Sequence, residues 1–122
     1  MITKFLHTAL TVTDLEVAIA QYASLGFTLH KQFEKLEPHA KVVHVTNADG
    51  TTFELWEFID TRHPQMEYIK RHIAFESDNL EADLTKYKEL GFEEVIPITQ
   101  GVSMRYAFVR DQSGNCIELG QR

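Results

Sequence analysis

Residues 7–27, HTALTVTDLEVAIAQYASLGF, decide the fold because the chain repeats them at residues 72–92 as HIAFESDNLEADLTKYKELGF. The two stretches align without a gap at a constant offset of 65 residues. Ordinary residue usage would give about one or two identities in such a window. Eight of the 21 positions are identical: His7/His72, Ala9/Ala74, Leu15/Leu80, Glu16/Glu81, Tyr22/Tyr87, Leu25/Leu90, Gly26/Gly91 and Phe27/Phe92. We interpret the chain as an internal duplication.

The match resumes near the end of each half, where GTTFEL at 50–55 corresponds to GNCIEL at 114–119. This second match pairs Glu54 with Glu118. Each half is so short that it would bury too little surface to be stable alone, so the halves should share a core. We therefore predict a single domain, 1–122, made of repeats 1–60 and 70–122 that are joined by 61–69.

Each repeat has the pattern of a strand, a helix and three further strands. In the first, alternation predicts a strand at 4–12, Thr13 and Glu16 fit a capping box, and Gly26 ends the helix. The remaining strands are predicted at 28–34, 42–47 and 51–58. In the second, Asp78 is the predicted N-cap, Gly91 ends the helix, and strands are predicted at 71–76, 93–98, 105–110 and 115–119. The fold class is α+β, with two tandem βαβββ repeats that form a curled mixed sheet.

Composition excludes several classes of partner. The net charge is −6, from 18 acidic and 12 basic residues, without a basic cluster, so nucleic acid and anionic membranes are not expected partners. No segment is long and apolar enough to span a bilayer. The first residues have no signal-peptide character, and the single cysteine, Cys116, excludes an intrachain disulfide. We expect a cytoplasmic protein.

Four residues that the duplication pairs suggest a metal site. His7 and His72 lie on the first strand of each repeat, and Glu54 and Glu118 lie on the last. Two imidazoles and two carboxylates suit one divalent transition ion per site, Zn²⁺, Ni²⁺, Co²⁺, Mn²⁺ or Fe²⁺, better than Ca²⁺ or Mg²⁺. Four protein ligands on an octahedral ion leave two positions for neighbouring oxygens. We expect a small-molecule substrate with adjacent oxygens and Lewis-acid chemistry.

The chain resembles the vicinal oxygen chelate superfamily, and within it bacterial glyoxalase I. The resemblance rests on the segments LHTALTV, LGF, FELWEF, HIAF and AFVRDQSGNCIEL, which fall in the family's order, and on the His/Glu/His/Glu set. It implies a metal-dependent lyase or isomerase that moves a proton through an enediolate chelated to the metal. By the same resemblance Glu118 is the base, and Glu54 is the other catalytic carboxylate.

Two positions differ from similar glyoxalases, which hold glutathione with an arginine and an asparagine. Here those positions are Thr11 and Phe58. A threonine cannot supply the bidentate fork that a carboxylate prefers from arginine, and an apolar ring cannot bind polar groups. We therefore expect a substrate that is not linked to glutathione.

The remaining candidates line the predicted site. By the two-residue period, Trp56 and Phe58 share the face of Glu54, and Met104, Tyr106 and Phe108 form a second such row, a pattern typical of core packing or of an apolar substrate wall. The candidate substrate-binding residues are Trp56, Phe58, Met104, Tyr106 and Thr11. For Phe108 core packing is the preferred interpretation. Arg105 and Arg110 can hold an anion but more often face water, and Cys116 is expected to be a small buried residue. Four other histidines receive no role: His30, His39, His44 and His63.

Two rival functions stay open, along with the question of assembly. One rival is a ring-cleaving dioxygenase on the same scaffold, and the other is a metal-free binding module of the bleomycin-resistance kind. Because the crossover at 59–71 is short and exchange of equivalent halves is a low-cost route to dimers, we expect a homodimer with sites at the subunit interface.

Overall fold

The computed structural model of the protein describes residues 1–36, 39–60 and 70–122. The predicted linker at 61–69, and with it His63, lies outside the described residues. The elements are β1 Ile2–Thr11, α1 Leu15–Ser24, β2 Thr28–Leu36, β3 His39–Thr46, β4 Thr52–Phe58, β5 His72–Ser77, α2 Leu80–Glu89, β6 Glu93–Gln100, β7 Arg105–Arg110 and β8 Cys116–Gln121. This order confirms the prediction of an α+β fold built from two βαβββ repeats.

The contacts divide the chain into two compact units, residues 7–71 and residues 72–122 together with 1–6. The first unit has the strand order β2-β3-β4-β1, in which β3 is antiparallel to both neighbours and β1 is parallel to β4. The other unit has the order β5-β8-β7-β6 with the same parallel and antiparallel pairs. The two repeats thus have the same topology.

One helix covers one face of the sheet in each unit. In the first unit Leu15 and Ala18 of α1 pack against Val43, Val45 and Leu55. The second unit repeats this core with residues Leu80, Leu84, Ala107, Val109 and Leu119. Because side chains alternate along a strand, the residues on either side of Leu55 and Leu119 project from the opposite face. The predicted metal ligands lie on that opposite face.

Both helices begin one residue later than the capping predictions. Asp14, not Thr13, is the N-cap of α1, and Asn79, not Asp78, is the N-cap of α2. In each case the side-chain oxygen accepts a hydrogen bond of 3.1 Å from the backbone N–H three residues on. A short Asp or Asn side chain satisfies that orphan donor directly, so the Glu16 partner of a capping box is not needed.

The predicted helix ends are confirmed. Gly26 and Gly91 follow the two helices with φ of 94° and 101°, a conformation that other residues rarely adopt. Strand ends differ more, since β3 begins at His39 rather than at 42 and β6 continues to Gln100 rather than 98. Antiparallel pairing to a neighbouring strand extends these segments beyond the point where side-chain alternation is clear.

Candidate metal and catalytic site

The first predicted pair of ligands meets on neighbouring strands. His7 on β1 lies two residues before Ala9, which is in register with Glu54 on the parallel strand β4. The Nε2 atom of His7 is 3.4 Å from Oε1 of Glu54, and both side chains are buried. Glu54 therefore points inward and is buried, and its role in a site stays a prediction.

The second pair has the same geometry in the other unit. His72 on β5 lies two residues before Ala74, which is in register with Glu118 on the parallel strand β8. Nε2 of His72 is again 3.4 Å from Oε1 of Glu118, and the exposed fractions of these side chains are 1% and 12%. The duplication therefore preserves the distance between imidazole and carboxylate as well as the residue types.

Each pair offers donor atoms that suit a transition-metal ion. An imidazole nitrogen and a carboxylate oxygen are the donors that borderline divalent ions accept, and burial makes an unneutralised carboxylate costly. One pair alone supplies two ligands, fewer than the three or four that hold zinc in proteins. The donor chemistry thus fits a metal ion, and four ligands require both pairs.

A residue that the sequence interpretation gave no role contacts Glu54. Nε2 of His44 is 2.8 Å from Oε2 of Glu54, and Nε1 of Trp56 donates a hydrogen bond of 2.7 Å to Oε1. Both oxygens of this carboxylate therefore have partners. The turn at 47–50 contained the missing signal, because continuing its antiparallel pairing places His44 opposite Glu54.

The two repeats differ at this position. Phe108 lies opposite Glu118 on β7, where the first repeat has His44 opposite Glu54. The Phe108 side chain is buried, and its ring makes an edge contact with that of His72 at 5.0 Å between centroids. Its burial agrees with the core-packing interpretation, although it packs directly on a predicted ligand.

The predicted substrate wall also differs between the repeats. In the first, the rings of Trp56 and Phe58 stack with 5.4 Å between centroids. Gly120 occupies the place of Trp56 in the second repeat, and a Cβ added there would lie 2.5 Å from the sulfur of Met104. An aromatic pair therefore lines one unit, while Met104 covers the corresponding place in the other.

Tyr106 and Thr11 have defined environments as well. Burial, and then the negative charge of Glu118, raise the pKa of the Tyr106 phenol, so this side chain stays neutral at physiological pH. Thr11 is exposed, and its hydroxyl donates a hydrogen bond of 2.8 Å to the backbone carbonyl of Lys70. Substrate binding by these residues stays a prediction.

The other polar candidates have local partners. Arg105 forms an ion pair with Glu81 and Arg110 forms one with Glu93. The sequence did not single out Lys35, whose Nζ lies 5.4 Å from the centroid of the Trp56 ring. Cys116 is buried as expected, and burial raises the pKa of its thiol.

Residues 4–119 match the family model of the Glyoxalase/Bleomycin resistance protein/Dioxygenase superfamily. The chain belongs to this superfamily. The match confirms the resemblance to the superfamily, and it covers both repeats with all four predicted ligands; the resemblance to glyoxalase I within it stays a prediction. No curated protein is similar enough to match the chain.

Solved structures support the fold of this superfamily member. Methylmalonyl-CoA epimerase from Mycobacterium tuberculosis has a TM-score of 0.82 at 20% identity, covering 98% of this chain and 88% of the epimerase. A hypothetical protein from Bacillus halodurans C-125 has a TM-score of 0.81 at 19% identity, with coverages of 98% and 94%. A Streptomyces coelicolor methylmalonyl-CoA epimerase in complex with 2-nitronate-propionyl-CoA has 0.79 at 20%, with coverages of 99% and 98%. At these identities the similarity establishes the fold alone.

No helix among the described residues is long and apolar enough to cross a membrane. The expectation of a cytoplasmic location stays a prediction.

Proposed function

We propose that the protein is a metal-dependent isomerase or lyase that transfers a proton at a carbon next to a carbonyl group. The observation that carries the proposal is the pair of matched His–Glu contacts, each with 3.4 Å between nitrogen and oxygen. In this proposal His7, Glu54, His72 and Glu118 hold one divalent transition ion. When bound, such an ion supplies Lewis-acid stabilisation of negative charge that develops on a carbonyl oxygen.

The surroundings of the two glutamates support different roles. Glu54 accepts hydrogen bonds on both oxygens, from His44 and from Trp56, which favours a fixed ligand. Glu118 lies opposite the apolar ring of Phe108. A carboxylate beside apolar surface is suited to act as a general base. We therefore assign proton transfer to Glu118 and place Glu54, the other candidate, as a ligand.

The proposed substrate is a small molecule with adjacent oxygens that carries no glutathione. Phe58 is stacked on Trp56 and the Thr11 hydroxyl is engaged with a backbone carbonyl, so neither offers the charged or amide anchor that a peptide cosubstrate needs. The epimerases with similar folds act on methylmalonyl-CoA, a thioester. Like the proposed substrate, this thioester has an acidic C–H group next to a carbonyl group. Methylmalonyl-CoA is therefore a suitable probe of the proposed chemistry.

The test combines metal analysis with proton exchange. Protein purified without chelators should contain one transition ion per four-ligand site, and it should catalyse exchange of a substrate C–H proton with deuterated solvent. With the glutathione hemithioacetal of methylglyoxal, kcat/KM should lie below the usual enzyme range that begins at about 10⁴ M⁻¹s⁻¹. Elemental analysis, NMR and thioester absorbance are the measurements.

The outcomes separate the rivals. Hemithioacetal turnover within the usual enzyme range would restore a glyoxalase I function. Ligand binding without stoichiometric metal would favour the bleomycin-resistance-like module, and oxygen consumption by an iron-loaded protein would favour the dioxygenase. Absence of proton exchange with both probes, in protein that does contain the metal, would count against the assigned chemistry for these substrate classes.

We further propose that the active unit is a homodimer in which His7 and Glu54 of one chain join His72 and Glu118 of the other. The short crossover between the repeats supports exchange of halves between chains. In a purified heterodimer of a His7→Ala chain and a His72→Ala chain, one of the two sites would then receive all four ligands, so metal binding should return to about half the wild-type level. Dialysis against metal followed by elemental analysis measures the recovery. Heterodimers that recover nothing would show that each site belongs to one chain.

A further inference from the structure

We propose that His44 is a positioning residue that fixes the carboxylate of Glu54 for metal binding. The inference rests on the proposed function, since it concerns a ligand of the proposed metal site. It starts from the 2.8 Å contact between Nε2 of His44 and Oε2 of Glu54. Trp56 holds the other oxygen at 2.7 Å, so the two donors together determine the orientation of the carboxylate.

The His44 ring is itself held in place. It lies on β3, where pairing with β4 puts it opposite Glu54, and its side chain is 18% exposed. The ring of His7 lies 5.3 Å away and the ring of Phe33 lies 6.1 Å away, both between centroids. A donor confined in this way loses little freedom when it binds the carboxylate, so the hydrogen bond orients Glu54 efficiently.

Comparison of the two repeats distinguishes the orienting role of His44 from a role in core packing. Phe108 occupies the corresponding position opposite Glu118 and is buried in the same topology. The fold therefore accepts an apolar aromatic ring at this place. The histidine adds a donor that packing does not require, and this donor meets the buried Oε2 atom of Glu54. The polar residue thus serves Glu54 rather than the core.

Glu54 is oriented in advance between two donors, so the ion need not order it. Groups that orient metal ligands through hydrogen bonds typically contribute 10–100-fold to metal affinity. We expect His44 to contribute within about that range, although it does not itself bind the ion.

The experiment replaces His44 in two ways in the full chain. His44→Phe copies the residue of the second repeat and removes the donor, whereas His44→Gln keeps an N–H that can reach Oε2. The matched control is His39→Phe, since His39 lies on the same strand but pairs with Glu34 at 3.3 Å. The readouts are the Co²⁺ dissociation constant from chelator competition and the visible spectrum of the Co²⁺ protein.

His44→Phe should weaken Co²⁺ binding by about 10–100-fold and change the Co²⁺ spectrum. His44→Gln should restore most of the affinity, and His39→Phe should match wild type. Thermal unfolding of the metal-free variants checks that each folds. If His44→Phe does not fold, Trp56→Phe removes the other donor and should weaken binding in the same way.

Several results would overturn the inference. If a folded His44→Phe variant keeps the wild-type Co²⁺ affinity and Co²⁺ spectrum, His44 does not position Glu54. That result would not contradict the proposed metal site. Equal losses in His44→Gln and His44→Phe would point to a direct contact of His44 with the ion instead of a positioning role. A wild-type chain that binds no Co²⁺ would remove the proposed function itself, and the role of His44 with it.

Discussion

Replacing His72 by alanine is expected to reduce metal affinity by more than about 100-fold, since even residues that only orient ligands contribute roughly 10–100-fold. The change removes one of four proposed ligands and leaves Glu118 without the imidazole that lies 3.4 Å from it. Metal content after exhaustive dialysis, measured by elemental analysis, tests the expectation. A loss of this size identifies His72 as a ligand rather than a buried structural histidine.

The matched control is His39→Ala. The His39 side chain is 40% exposed and pairs with Glu34, which is outside the proposed ligand set. Its removal should leave metal content at the wild-type level. Equal metal content in the His72→Ala and His39→Ala proteins would refute the assignment of His72.

Glu118→Gln is expected to lower the rate of proton exchange by about 10²–10⁴-fold, the usual contribution of a general base. The amide has nearly the same size and keeps an oxygen, but it cannot accept a proton at neutral pH. The loss should therefore appear in kcat more than in metal content. Solvent deuterium incorporation into the probe substrate, normalised to bound metal, measures it.

Glu93→Gln is the matched control for Glu118→Gln. Glu93 forms an ion pair with Arg110 on the neighbouring strand and takes no part in the proposed site. Its substitution should leave the exchange rate unaltered. Proton exchange by Glu118→Gln at the wild-type rate would transfer the role of base to another residue, with Glu54 as the first alternative.

The order of helices and strands could be predicted from the sequence because each repeat shows the same pattern as the other. Gly26 and Gly91 marked both helix ends, and the offset between Glu54 and Glu118 predicted equivalent strand positions. The inward orientation of Glu54 followed from the same pairing. These features depend on residue type and spacing along the chain, which a sequence records directly.

The helix caps and the role of His44 could not be predicted, because both depend on which of several neighbouring groups forms a given hydrogen bond. The helix caps moved by one residue because Asp14 and Asn79 reach the orphan backbone donors better than the residues before them. His44 was missed because a single histidine on a strand shows no periodicity. Its position opposite Glu54 becomes apparent only when strand pairing is continued from the hairpin turn.

The tandem arrangement of the repeats has a genetic consequence. If each repeat were a separate chain and two identical chains formed a symmetric dimer, every substitution would change both copies at once. Joining the two copies in one chain removes that constraint, so each can accumulate its own changes. The histidine at position 44 and the phenylalanine at position 108 are one such divergence. In the proposed function, this divergence accompanies the different roles of Glu54 and Glu118.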